Sequence, residues 1–155
     1  GCCFVAGTKI AMVAGVKNIE EVEVGDGVLS YDLEKQDIEE DKVEELYSPM
    51  REGVYVINDG LIRVTNEHPF YVRKKDGRKG WAAIDVEAGK KETPSIKDMM
   101  ELSLGDFIFN KDGDWIEVKD IQYIKGDIKT YNPKRIKKNN NFFANDLLVH
   151  NKIGI

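Results

Sequence analysis

Apolar residues along this chain come in short runs broken by turn signals, and most runs are too brief for a helix. Val22, Val24, Val28 and Leu29 alternate with polar residues around Gly25-Asp26-Gly27. Val54 to Ile57, then Asn58-Asp59-Gly60, then Leu61 to Thr65 spells a hairpin. Phe70-Tyr71-Val72 and Phe107-Ile108-Phe109 are two more short strands, closed by Lys75-Asp76-Gly77 and Lys111-Asp112-Gly113. Trp115 to Ile124 and Leu147 to Val149 complete the set. Helical periodicity is weak throughout, and residues 19–24 suit a single turn. The expectation is an all-β fold.

The pattern also echoes itself. Residues 19–32 read IEEVEVGDGVLSYD and residues 99–112 read MMELSLGDFIFNKD. Each has an apolar–Glu–apolar lead, a Gly-Asp turn, an apolar strand and a terminal acid. A fainter echo sets Val54-Tyr55 against Thr130-Tyr131, and Pro69-Phe70 against Asn141-Phe142. A duplicated unit forming a roughly two-fold β fold explains both. Residues 86–98 are polar, contain Gly and Pro, and read as a surface insertion loop too short for a further enzyme domain.

Composition narrows the choice. The 155 residues suit one domain with a real core. Charged residues reach 33%, and 28 acids against 23 bases leave a net charge of −5. That balance argues against non-specific nucleic-acid binding. The basic run Lys134 to Lys138 reads as a solvated loop. No apolar run has the length of about 18 residues that a membrane span needs. The two cysteines, Cys2 and Cys3, are adjacent, so a disulfide staple is improbable. With two His and no CxxC spacing, a zinc site is not expected either.

The chemistry-bearing residues sit at the borders and in mid-chain. His150-Asn151 closes an apolar run near one end. An Asn side-chain amide can attack its own backbone carbonyl, close a succinimide ring and cut the chain, here before Lys152; His150 is placed to protonate the departing amine. At the other border the Cys3 thiol can attack the carbonyl of Cys2 and form a thioester. A free thiol has a pKa of about 8.5, so it needs assistance. The candidate helper is His68, in Thr65-Asn66-Glu67-His68-Pro69, where Pro69 drives His68 toward extended geometry. In a flat strand Thr65 and His68 point to opposite faces; a bend through Asn66-Glu67 brings both to one backbone amide. Each residue alone has a plain structural explanation. Their coincidence at two termini and one mid-chain loop is what points to self-cutting.

These motifs resemble those of inteins and, more broadly, of Hint (hedgehog–intein) domains, most closely the A-type bacterial intein-like domains. The resemblance rests on Cys3-Phe4-Val5-Ala6-Gly7-Thr8, Val22-Glu23-Val24-Gly25-Asp26, Thr65 to Pro69, and Asn141-Phe142-Phe143-Ala144 leading to Val149-His150-Asn151. It implies a compact, pseudo-two-fold, horseshoe-like β fold with adjacent termini, spanning 3–151, with flanks 1–2 and 152–155. It implies an amino-terminal nucleophile at Cys3, a Thr-x-x-His pair at Thr65 and His68, and a terminal His150-Asn151 pair. The cleavage sites are then Cys2 and Lys152.

Three departures shape the expected activity. Lys152 stands where efficient splicing places Cys, Ser or Thr, so cleavage at either end should dominate over ligation of the flanks. Asn132 stands where an Asp is frequent, and Asn140 where a His is frequent; both are candidate assisting residues. The implied activity is single-turnover autoprocessing of the chain's own flanks, with water, a thiol or an amine accepting the thioester. No metal or organic cofactor is required, and no nucleic-acid, membrane or oligomeric partner is expected. The compartment stays open between cytoplasm and an exported precursor. The rivals are a Cys–His hydrolase, a sterol-transferase-like Hint domain, and an inactive β-rich binding module.

Overall fold

A computed structural model describes residues 3–152. The first half contains β1 (Phe4–Val5), β2 (Lys9–Met12), β3 (Gly15–Asn18), β4 (Gly27–Asp32), β5 (Asp37–Tyr47), β6 (Met50–Ile57) and β7 (Ile62–Val64). The second contains β8 (Phe70–Arg73), β9 (Lys79–Ala83), helix α1 (Val86–Glu92), β10 (Met100–Glu101), β11 (Phe107–Phe109) and β12 (Trp115–Glu117). It ends with β13 (Ile121–Ile136), β14 (Asn141–Ala144) and β15 (Leu147–His150). The strands form one hydrogen-bonded network, ordered β1-β7-β6-β13-β5-β4-β2-β14-β15-β8-β11-β12 along its main path. All-β architecture is therefore the observed class, with β6–β7 as the expected hairpin.

The sequence echo is a structural repeat. Asp26 accepts hydrogen bonds from the Glu23 amide at 2.9 Å and Lys17 Nζ at 2.8 Å. Asp106 does the same with the Ser103 amide at 2.8 Å and Lys74 Nζ at 2.7 Å. Gly25 and Gly105, at φ 93° and 88°, each donate at 2.8 Å to a distant carbonyl, of Val43 in β5 and of Val118 just after β12 respectively. Only a residue tolerating left-handed backbone fits these turns without strain, which explains Gly in both copies. The fainter echo also has a geometric counterpart: Phe70 and Phe142 both pair with Val149, one from each side of β15.

Phe4, Phe70 and Phe142 are fully buried in the main core beside Ile10, Ile57 and Ile108. Burial of each aromatic ring contributes on the order of 2–3 kcal/mol, and these rings also wall the site described below.

Three segments differ from expectation. Residues 86–92, expected as loop, form α1, capped by Asp85, whose carboxylate accepts from the Ala88 amide at 3.1 Å. Gly89 is the helix's buried position, packed so closely that a Cβ there would lie 3.3 Å from the Glu67 carbonyl and 2.5 Å from the Met99 sulfur. Lys134 to Ile136 complete β13 against β5 instead of forming a solvated loop. Ile136 is fully buried, and Lys134 and Arg135 lie near Glu44 and Glu45. The expected strand from Trp115 to Ile124 divides into β12 and the start of β13.

Candidate active site

The loop between β7 and β8 holds both borders of the chain. Its turn, closed by a 3.5 Å bond from the His68 amide to the Thr65 carbonyl, brings Thr65 and His68 into one buried region. Thr65 grips Cys3 twice: Thr65 Oγ1 accepts from the Cys3 amide at 2.8 Å, and the Thr65 amide donates to the Cys3 carbonyl at 2.9 Å. Thr65 thus clasps the Cys3 amide as expected from the bend. His68 reaches the opposite border, with Nε2 2.7 Å from the His150 carbonyl oxygen. A carbonyl only accepts, so Nε2 carries the hydrogen and, in the neutral ring, Nδ1 carries the lone pair. The imidazole packs 4.3 Å from the Phe4 ring and 6.4 Å from those of Phe70 and Phe142.

The loop is itself anchored. Arg51 makes a bidentate pair with Glu67 at 2.8 and 3.0 Å, and its second terminal nitrogen also meets Asn66 Oδ1 at 3.2 Å. Glu67 is buried, so a planar fork matched to the carboxylate fixes the turn more firmly than a surface pair does.

At the downstream border Asn151 is held through its amide, its side-chain oxygen and its carbonyl. Its amide donates to the Asn140 carbonyl at 2.9 Å. Its Oδ1 accepts from the Ile136 amide at 2.9 Å. Its backbone carbonyl oxygen lies 2.8 Å from His150 Nδ1. Burial pushes the His150 pKa from 6.5 down to about 4, with the Asn151 hydrogen bond opposing. A neutral imidazole therefore faces the carbonyl at neutral pH, and the bond has Nδ1–H as donor. The expectation made His150 the proton source for the departing amine; in the structure its ring addresses the carbonyl oxygen of the bond before Lys152.

Cys3 is fully buried. Burial raises its thiol from 9.0 to about 11, and a hydrogen bond with Thr130 works in the opposite direction. Asn132 is also buried, and neither atom of its amide has a hydrogen-bond partner among the described residues. Asn140 sits in a left-handed turn at φ 55° and serves Asn151 through its backbone carbonyl. Cys2, one of the two expected cleavage positions, lies outside the described residues with the rest of segments 1–2 and 153–155.

The structure thus brings Cys3, Thr65, His68, His150 and Asn151 to one loop and the strand ends beside it. Sequence reasoning missed Ile136 and Thr130, whose parts are a backbone N–H and a hydroxyl with no motif around them. Among the described residues no cluster of three His, Cys, Asp or Glu could hold a metal ion, and no helix is long and apolar enough to cross a membrane. A cavity of about 740 Å³ is lined by residues including Met12, Val13, Val16, Gly27 and Lys137, and none of the five site residues lines it.

A β fold of two related halves, with both borders pinned to a Thr-x-x-His loop, defines a Hint/intein domain. The pretoxin HINT domain model matches residues 9–152, and the chain belongs to that family. The bacterial intein-like domain from Clostridium thermocellum is 27% identical, over 96% of this chain and 98% of that one, with a TM-score of 0.75. The DnaB intein from Synechocystis sp. PCC 6803 is 20% identical, over 97% and 99% of the two chains, with a TM-score of 0.72. The PabCDC21-1 intein is 20% identical over 96% and 98%, with a TM-score of 0.73. The two inteins share the fold. No curated protein matches the chain. Fold and family together mark an autoprocessing domain that acts on its own flanking segments.

Proposed function

We propose that this domain cuts itself after Asn151 by side-chain cyclisation, and that Cys3 performs a slower N-to-S acyl shift at the other border. The processing unit is 3–151, it works once, and 1–2 and 152–155 are the ends of its flanks. The observation that carries the reading is the contact between His150 Nδ1 and the Asn151 carbonyl oxygen at 2.8 Å.

In the downstream cut, Asn151 Nδ2 attacks the Asn151 carbonyl carbon. Negative charge develops on the carbonyl oxygen, where the neutral His150 N–H already points. The bond to the Lys152 nitrogen breaks, Nδ2 loses a proton, and the departing amine gains one. Ile136 N–H fixes Oδ1 at 2.9 Å, so it sets where the amide nitrogen points and draws electron density from it. Asn140 holds the Asn151 amide and prevents rotation of the residue. His68 ties the His150 carbonyl to the same loop that grips Cys3. Holding nucleophile and carbonyl in one residue, at fixed geometry, replaces a bimolecular encounter.

In the upstream step, Cys3 sulfur adds to the preceding carbonyl, its thiol proton is removed, and the Cys3 nitrogen must gain a proton as the amide becomes a thioester. Thr65 fixes that nitrogen, and His68 is the base and acid for the exchange. A thiol with a pKa near 11 is almost wholly protonated at neutral pH, which makes this step the slower one. Water, an external thiol or the freed amine then takes the acyl group; ligation of the flanks is a minor outcome. The complete burial of Cys3 disfavours a hydrolase acting on foreign proteins.

The experiment is intact-mass analysis of the protein between two larger unrelated flanks. Loss of the downstream flank that Asn151→Ala abolishes, and thiol-stimulated loss of the upstream flank that Cys3→Ala abolishes, are the expected results. Cutting that survives both substitutions refutes the assignment.

A further inference from the structure

Helix α1 has no part in the chemistry above, yet it runs between the catalytic loop and the residue just beyond the scissile bond. At its start, the Asp85 amide donates to the Asn66 carbonyl at 2.9 Å, and Asn66 Nδ2 donates to Asp85 Oδ2 at 3.2 Å. Seven residues of helix carry the chain roughly 10 Å. At its end, Glu92 Oε2 lies 3.1 Å from Lys152 Nζ. The buried Thr93 hydroxyl donates to the Lys152 carbonyl at 3.0 Å. The Lys152 ammonium also stands 5.1 Å from the centre of the Tyr47 ring, on β5. The Lys152 side chain is only 17% exposed, so these contacts enclose it.

A carboxylate, an aromatic face and a hydroxyl set on the backbone carbonyl make a receptor for a cationic residue. Burial pushes the Glu92 carboxyl up, but the Lys152 hydrogen bond leads the opposing effects and its titration stays below the usual range. We infer that Glu92, Thr93 and Tyr47 form a subsite for a basic first downstream residue, so that the cut after Asn151 favours Lys or Arg at position 152. This rests on the cyclisation reading above. A docked Lys152 holds the far side of the scissile peptide while His150, Asn140 and Ile136 hold the near side. The reacting geometry is then populated in proportion to docking, which is how a side chain distant from the reacting atoms sets the rate. The anchor at Asn66 ties the same helix to Thr65 and His68, so the subsite and the loop are positioned together.

The test is the rate of the downstream cut in flanked protein carrying Lys152→Arg, Lys152→Gln, Lys152→Glu, Glu92→Lys, or the last two together. Arg should cut at close to the parent rate, Gln about fivefold more slowly, and the two single charge reversals more slowly again. The double reversal should recover most of the loss, which a merely structural role of Glu92 does not produce. Equal rates throughout, or a double reversal as slow as the product of its singles, overturn the subsite. If the parent itself stays uncut, the cyclisation reading fails instead. The subsite is then decided in Asn151→Ala protein by the Glu92 carboxyl titration followed by NMR. Lys152→Gln should raise its midpoint, and an unchanged midpoint overturns the inference.

Discussion

Replacement of His150 by Ala removes the imidazole donor that faces the Asn151 carbonyl. The 2.8 Å contact sits where negative charge grows during cyclisation, in a site from which water is largely excluded. Loss of one such donor typically slows a reaction about 10²–10³-fold, or roughly 3–4 kcal/mol of barrier. The downstream cut in His150→Ala should fall by that factor, followed by intact mass over hours to days, with the fold checked by circular dichroism. The pH profile separates donor from acid. A neutral ring with a pKa near 4 predicts a level rate contribution from His150 between pH 5 and 8. An imidazolium acid of ordinary pKa predicts acceleration as pH falls through 6.5. A drop smaller than about tenfold, or an acidic gain centred near 6.5 that His150→Ala removes, refutes the assignment of His150 as a neutral donor.

Three other outcomes follow from the same geometry. Because the Cys3 thiol sits near 11, thioester formation trapped with hydroxylamine should rise close to tenfold per pH unit from 7 to 9; a plateau in that range contradicts the buried-thiol account. Asn132→Val removes a buried donor and acceptor that lack partners among the described residues, and should stabilise the fold by about 1–3 kcal/mol in urea titration; destabilisation contradicts this. His150 also links stability to acid: its folded pKa lies below its unfolded one, so the unfolded chain protonates first and stability falls as pH drops from about 6.5 toward 4. The gap amounts to roughly 3 kcal/mol, absent from His150→Phe, and identical acid profiles for the two proteins would count against it.

The parts of the fold visible in the sequence are those written in side chains at turns and in apolar runs. The Gly-Asp turns, the β6–β7 hairpin and the short aromatic strands carry local signals strong enough to survive tertiary packing. The strand Asp37–Tyr47 does not: it is dominated by charged residues, and its inward positions include Asp41, held by Ser30 Oγ and the amides of Lys138 and Asn139. Its pairing with β4 and β13, not its own composition, makes it a strand. The helix Val86–Glu92 escaped notice because seven residues with a central Gly show no periodicity, and packing on Met99 and Ala83 supplies what propensity lacks. Within the site, Cys3, Thr65, His68, His150 and Asn151 were readable as motif residues. Ile136 acts through a backbone group, which any residue provides, so no residue type announces it; Asn140, singled out only for standing where a His is frequent, also acts through its backbone carbonyl.

The account stands on cyclisation of Asn151 within this preorganised border. Tandem mass spectrometry of the domain recovered after spontaneous loss of its downstream flank tests that most directly. The account predicts a chain ending at residue 151, one water lighter than the hydrolysis product, with the missing water located at an aminosuccinimide on Asn151. A chain ending in unmodified Asn151 from the earliest time points, or a cut at any other bond, would contradict it.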